Sequence, residues 1–395
     1  MIDSSTGPLA GIRIVDMADE KAELCGRILA DLGADVIRVE PPEGSVSRRL
    51  PPIAPDGHTS LYFTYRNSNK RGITLDVSKA PGQELLHRLL ADADVWIESF
   101  PPGHLKSIGL DPTQVLKRHP QLIITSISDF GQTGPYRDFV GTDMIGFAMG
   151  GMMYRAGVPE RPPVVAPGAL AYDATGVTAG FAVLMAYYQR LQSGRGQHID
   201  LSVMESIANM SDWALPSYSQ TGGFQQRAGS GFVYPVYPCK DGHVRLVVLS
   251  PREWRDLRAW LGEPDAVQDD VWDQLMFRAV NRDVLDPLII KLFRNKTKME
   301  LAKEAQARRL ALTPSLMPDE VMTNAHARSR GTFVKTEVTP GVEGMVPAGF
   351  VELDGERHGY RTPAPSLGEH NAEVYVGELG LQQDELTTLR AEGIV

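Results

Sequence analysis

Apolar runs of strand length alternate with helical spacing from the start of the chain, and that alternation limits the fold more than any other feature. "GIRIVDM" reads as a short strand, "KAELCGRILADLG" spaces its apolar residues as a helix does and closes on Gly33, and "ADVIRVE" reads as a second strand. The pattern returns with the strand "GITLDV", the helix "PGQELLHRLLADA", the strand "DVWIESF", the helical "DPTQVLKRH" and the strand "LIITSIS". Repeated βαβ units bury both faces of their strands by covering a parallel sheet with helices, so the expected class is α/β with a Rossmann-like large domain. "GQHIDLSV" adds one more strand.

Between these strands lie a Gly- and Met-rich apolar segment from Thr142 to Tyr154, the breaker-rich "GVPERPPVVAPG", and a long helix following Asp173. The polar, Gly-rich "SYSQTGGFQQRAGSGF" reads as a linker, which puts a boundary near Gly222. Residues 1–221 then form the first part of the large domain. Residues 222–330, opened by the hairpin-like "VYPVYPCKDGHVRLVVL", form a smaller α+β domain.

Composition narrows the function. At 395 residues, 42% hydrophobic and 23% charged, the chain matches a globular enzyme with a large core. Its 40 Lys and Arg against 49 Asp and Glu give a net charge of -9, which argues against nucleic-acid and membrane partners and forces any anionic ligand to find a local basic site. Cys25 and Cys239 are the only cysteines and lack metal-ligand spacing, and none of the nine histidines forms an H-E-x-x-H pair. No metal is expected. No signal-like N-terminus and no apolar run of roughly 18 residues is seen, so a cytoplasmic protein is expected. The opening βαβ unit, with Glu40 ending its second strand, raises an NAD-dependent dehydrogenase as one reading. The absence of G-x-G-x-x-G between "IVDM" and "AELCGR" counts against it, so no nicotinamide is expected.

Asp173, in "GALAYDATG", sits between small apolar residues and a long segment with few charges. Its ordinary reading is a helix N-cap, where a carboxylate accepts the free amides of the first turn. A functional reading uses the same geometry: the helix dipole favours the charge, and Gly168, Ala169, Ala171, Ala174 and Gly176 leave room for a bulky ligand beside a nucleophile. Residue types and spacing leave both readings open.

The ordered series "PLAGIRIVDM", "ILADLGADVIRVEPP", "NSNKRGITLDV", "ADVWIESFPPGHLKSIGL", "ISDFGQTGPYRD", "ALAYDATG", "SGRGQHIDLSV" and "RTPAPSLGEH" resembles the family III CoA-transferases, the group that includes formyl-CoA and carnitine CoA-transferases. The resemblance runs along nearly the whole chain. It implies an acyl-CoA donor, a carboxylic-acid acceptor and coenzyme A carried as substrate. Asp173 would attack the thioester to form a mixed anhydride and then an aspartyl-CoA thioester, with helix-start amides stabilising the oxyanion. It also implies an interlocked homodimer, with residues 331–395 returning to the large domain.

By the same resemblance Arg38, Lys70 and Arg71 fall in the CoA-contacting segment, and Ser99 and Phe100 stand where the family often has Asn-Phe. Lys106 and Arg137 lie near expected cationic sites, and Asp143 joins Asp173 in the catalytic site. The ordinary readings are a solvated strand end for Arg38, an exposed turn for Lys70 and Arg71, and another helix cap for Asp143. The stretch 222–232 lies where some transferases carry a glycine loop over the thioester. The first βα loop, "ADEKAELCGR", departs from the family, so Asp19 and Glu20 receive no role and the acids exchanged stay open. Two further readings stand beside the transferase. One is an α-methylacyl-CoA racemase, whose second base, a histidine, is replaced here by Thr142; the other is an inactive CoA-binding protein, against which the intact Asp173 argues.

Overall fold

The computed structural model describes residues 7–211, 214–223, 227, 234–339 and 341–395. The strand segments form β1 (Arg13–Met17), β2 (Asp35–Glu40), β3 (Arg71–Thr74), β4 (Val95–Glu98), β5 (Ile123–Ser128) and β6 (His198–Ser202). All pairings among them are parallel, in the order β3-β2-β1-β4-β5-β6. Val15 of β1 lies opposite Ile37 of β2 on one side and Trp96 of β4 on the other. The chain winds outward from β1 in one direction and then from β4 in the other. A crevice therefore opens at the carboxyl ends of β1 and β4, the place where open α/β sheets bind ligands.

Helices cover both faces because both faces are apolar. On one, Ile14, Val36, Ile97 and Ile123 pack against Cys25 and Leu29 of α1 (Glu23–Asp31) and against Ala179 and Val183 further along the chain. On the other, Val15, Ile37, Ile73 and Ile124 meet Leu86 and Leu90 of a later helix, together with Val374, Tyr375 and Leu386 near the C-terminus. Further helices along the chain are α2 (Leu61–Asn67), α3 (Ala80–Ala91), α4 (His104–Ser107), α5 (Pro112–Arg118), α6 (Asp143–Met149), α7 (Leu170–Ser193) and α8 (Val203–Met210). Ser60, Thr142 and Ser202 cap α2, α6 and α8 by accepting amides three residues on. Gly194, in the left-handed region at φ 67°, ends α7.

The C-terminal motif closes the sheet's β3 edge. The His370 N–H donates to Gly72 O at 2.9 Å, Asn371 Oδ1 accepts the Thr74 amide at 2.9 Å, and the Tyr375 hydroxyl donates to Thr74 O at 2.7 Å. An edge strand left bare would be a template for stray pairing, and "SLGEHN" satisfies its backbone instead.

The chain divides into two compact units: Met1–Met153, Val165–Leu215 and His326–Val395 make one, and Tyr154–Val164 with Pro216–Ala325 the other. The second holds an antiparallel sheet of β7 (Val236–Cys239), β8 (Gly242–Val247) and β9 (Ala311–Pro314), packed through Tyr237, Val244 and Leu246 on Trp254, Phe293 and Leu301. Capping boxes at Ser250/Glu253 and Thr297/Glu300 start two of its helices.

Candidate active site

Asp173 lies in the first turn of α7, but it is not the cap. Ala169 holds that position, and the Asp173 N–H already donates to Ala169 O at 2.8 Å within the helix. The amide of Tyr172, one residue earlier, is taken by Asp143, whose Oδ1 accepts it at 3.0 Å. So Asp143, at the start of α6, caps α7, while its own helix is capped by Thr142. Burial raises the Asp143 pKa, opposed by the amides of Tyr172 and Ala171 and reinforced by the nearby charge of Asp173. These bonds leave few helix-start amides for an oxyanion, in contrast to the expectation from sequence.

With its amide used inside the helix, the Asp173 carboxylate meets a side chain from elsewhere. Arg66 Nη2, in the last turn of α2, donates to Asp173 Oδ1 at 2.5 Å. The Arg66 side chain is 8% exposed and that of Asp173 38%, so the acid is the open end of the pair. The guanidinium lies 3.7 Å from the centroid of the Tyr62 ring, and the Tyr62 hydroxyl donates to Glu20 O at 2.9 Å, which fixes the platform beneath it. Sequence reasoning passed over Arg66. Nothing in its local spacing marks it, since its partner stands 107 residues away.

The small residues around Asp173 serve packing more than ligand access. Ala171, Ala174 and Gly176 are buried. A Cβ on Gly176 would come within 2.9 Å of Leu24 Cβ and 3.2 Å of the Cys25 amide, so this glycine lets α7 rest on α1. Gly168, with nothing within 4 Å of the same position, has the open surroundings expected for the group.

The residues read as CoA contacts separate into two sets. Arg38 and Lys70 are buried in a charge network behind the crevice. Arg38 donates to Ala18 O and, at 3.0 Å, to Glu23; Lys70 donates to Asp16 at 2.7 Å, Glu23 O at 2.8 Å and Asn67 at 2.9 Å, using all three ammonium protons. Arg71 opens β3, at the end of the sheet opposite the crevice, and binds both oxygens of Asp35 at 2.9 and 2.6 Å together with Glu373 and Glu378. These arginine and lysine heads are spent within the protein, unlike the solvated ends and turns of their ordinary readings.

The second set lies beyond the carboxyl end of β4. The Ser99 hydroxyl donates to Asp19 Oδ1 at 2.7 Å and accepts the Asp19 amide at 2.7 Å, which gives the atypical first loop a fixed anchor. Phe100 stacks on His104, and a cavity of about 180 Å³ brings Phe100 and Lys106 together with Glu98 and His198. Arg137 Nη2 lies 3.8 Å from where a Cβ on Gly103 would stand, so it approaches the same segment. Lys106 and Arg137 are exposed. Beside them Glu98 is enclosed, and burial pushes its pKa up to about 7 against the opposing bonds from Ser126 and the Phe100 amide. Of the stretch 222–232, residues 224–226 and 228–232 lie outside the described residues. Among the described residues no group of three His, Cys, Asp or Glu could hold a metal, and no helix is long and apolar enough to cross a membrane.

Comparison with known proteins places this geometry in context. The model for "CoA-transferase family III" matches residues 9–371. A probable CoA-transferase of Mycobacterium tuberculosis is 35% identical over 93% of this chain, which spans about half (46%) of that relative's length. A formyl-CoA:oxalate CoA-transferase of Streptomyces avermitilis is 30% identical over 99% of this chain and 100% of its own. Among solved structures, a CAIB/BAIF family protein from Brucella suis superimposes with a TM-score of 0.84 at 30% identity, covering 94% of this chain and 99% of that one.

Proposed function

The chain belongs to CoA-transferase family III, and we propose that it moves coenzyme A between two carboxylic acids with Asp173 as the nucleophile. The observation that carries this reading is the half-open Asp173 carboxylate, bonded to Arg66 through one oxygen and facing solvent where a thioester can reach it.

In this reading a carboxylate oxygen of Asp173 attacks the acyl-CoA carbonyl, the C–S bond breaks, and CoA leaves as thiolate with the bonding pair. The thiolate then attacks the Asp173 carbonyl of the mixed anhydride, the donor acid departs as a carboxylate, and an aspartyl-CoA thioester remains. An acceptor carboxylate repeats the two steps in reverse order. No step needs a proton from the enzyme, which suits a site whose acids are held by amides and an arginine. Asp143 acts by fixing the first turn of α7 in this scheme.

For CoA itself we assign the phosphates to Lys106 and Arg137, exposed cations around Phe100 in an otherwise acidic chain. Phe100 lines the approach, and Ser99 holds the Asp19 loop. Arg38, Lys70 and Arg71 support the site from within the fold and are not used as direct contacts, because their side chains are buried against partners of the same fold. Thr142, committed to capping α6, supplies no second base for a racemase.

A homodimer is part of the proposal. Val177, Phe181, Met185, Tyr188 and Leu191 line α7 at helical spacing and are 49–66% exposed, an apolar stripe that a second copy of the chain would cover. The two free cysteines, Cys25 and Cys239, suit a reducing cytosol.

The test is peptide mass spectrometry after incubation with a mixture of short and long acyl-CoAs and trapping with hydroxylamine. A hydroxamate on Asp173 supports the reading. Full transfer by an Asp173→Asn variant would overturn it.

A further inference from the structure

Arg66 has more binding capacity than the free protein uses. A guanidinium carries five N–H donors in a planar fork suited to carboxylates. Among the described residues its one hydrogen bond runs from Nη2 to Asp173, and Tyr62 covers a face of the group, where no donor points. The side chain is nearly enclosed, so solvent compensates little for a lost partner.

We propose that Arg66 is the acceptor-carboxylate clamp of this site, released for that role when Asp173 loses its charge. The inference rests on the transferase reading. While Asp173 is a free carboxylate it occupies the guanidinium. Once its oxygen or its carbonyl carbon is bonded to an acyl group or to CoA sulfur, the acid is neutral and Arg66 is left as an unpaired cation in a confined site. An anionic acceptor then binds where it is needed, one oxygen on Arg66 and the other directed at the neighbouring Asp173 carbonyl. The same charge alternation disfavours acid binding to the resting enzyme, where the clamp is closed by Asp173 itself. The ligand class is a simple carboxylate, and the step formed is acceptor oxygen to Asp173 carbonyl carbon, with the C–S bond breaking and the thiolate carrying off the electron pair.

The experiment mimics the neutralised acid without any donor. Radiolabelled oxalate is measured by equilibrium dialysis against the wild type, Asp173→Asn, and Asp173→Asn combined with Arg66→Gln or Arg66→Lys. Asp173→Asn is expected to bind oxalate at least roughly tenfold more tightly than the wild type, as a charge-assisted bond becomes available. The Gln double variant should lose that gain and the Lys double variant keep part of it. Equal binding by the wild type and Asp173→Asn, or by Asp173→Asn and the Gln double variant, overturns the clamp. If the double variants do not fold, phenylglyoxal decides on Asp173→Asn alone: oxalate should slow modification of Arg66, and modification at an unchanged rate overturns the proposal. Failure of the transferase reading shows separately, as an Asp173 that no acyl-CoA labels in the wild type.

Discussion

Asp143 and Tyr172 join two helices through one bond: the Asp143 Oδ1 accepts the Tyr172 N–H at 3.0 Å, one residue before Asp173. A residue that begins one helix thus completes another. The bond couples the position of Asp173 to the start of α6.

Replacing Asp143 by Ala should cost about 1 kcal/mol of stability, the usual value of a lost cap. Because the first turn of α7 would also relax, labelling of Asp173 by acyl-CoA should slow roughly tenfold to a hundredfold. Urea denaturation and the rate of hydroxamate formation measure the two effects. A stability loss with an unchanged labelling rate would show that the cap does not position the acid.

Gly176 tests the contact beneath the site. A methyl group there meets Leu24 and the Cys25 backbone at 2.9 and 3.2 Å, so Gly176→Ala must push α7 away from α1. The expected loss is about 1–3 kcal/mol, as for other overpacked positions, measured from the denaturation midpoint. A more stable variant would mean that α1 yields easily and that helix propensity wins.

Glu98 makes stability depend on pH in a direction unusual for a carboxylate. Its folded pKa is raised from 4.5 to about 7 by burial, so between those values the folded chain keeps a proton that the unfolded chain has released. Stability therefore falls as pH rises through this window and levels off above it, a change on the order of 3 kcal/mol. Glu98→Gln, which retains an acceptor for the Phe100 amide, should be more stable than the wild type at pH 8 and no more stable at pH 4. A difference that is the same at both pH values would assign the effect to packing.

What the sequence determined by itself is the layered frame. Hydrophobic periodicity is a local property, and each segment from "GIRIVDM" to "GQHIDLSV" carries its own strand or helix signal. Burial on two faces then leaves a helix-covered parallel sheet as the way to satisfy them together. The place of Asp173 in the first turn of a long helix was also legible, from the small residues before it and the apolar segment after it.

The tertiary structure decided what each charge does. Arg66, Lys106, Lys70 and Arg38 are alike in sequence as cations near strand and helix ends, yet one meets Asp173, one faces solvent and two are sealed among Asp16, Glu23 and Asn67. Gly176 looked like space for a ligand and proved to be a helix contact. Asp143 was expected in the catalytic site, and in the fold it caps the helix that carries Asp173. The physical reason is range: a strand or helix is specified by neighbours a few residues apart, whereas an ion pair or a close packing contact depends on distances set only when the whole chain has folded. Partners 107 residues apart leave no period in the sequence by which to find one another.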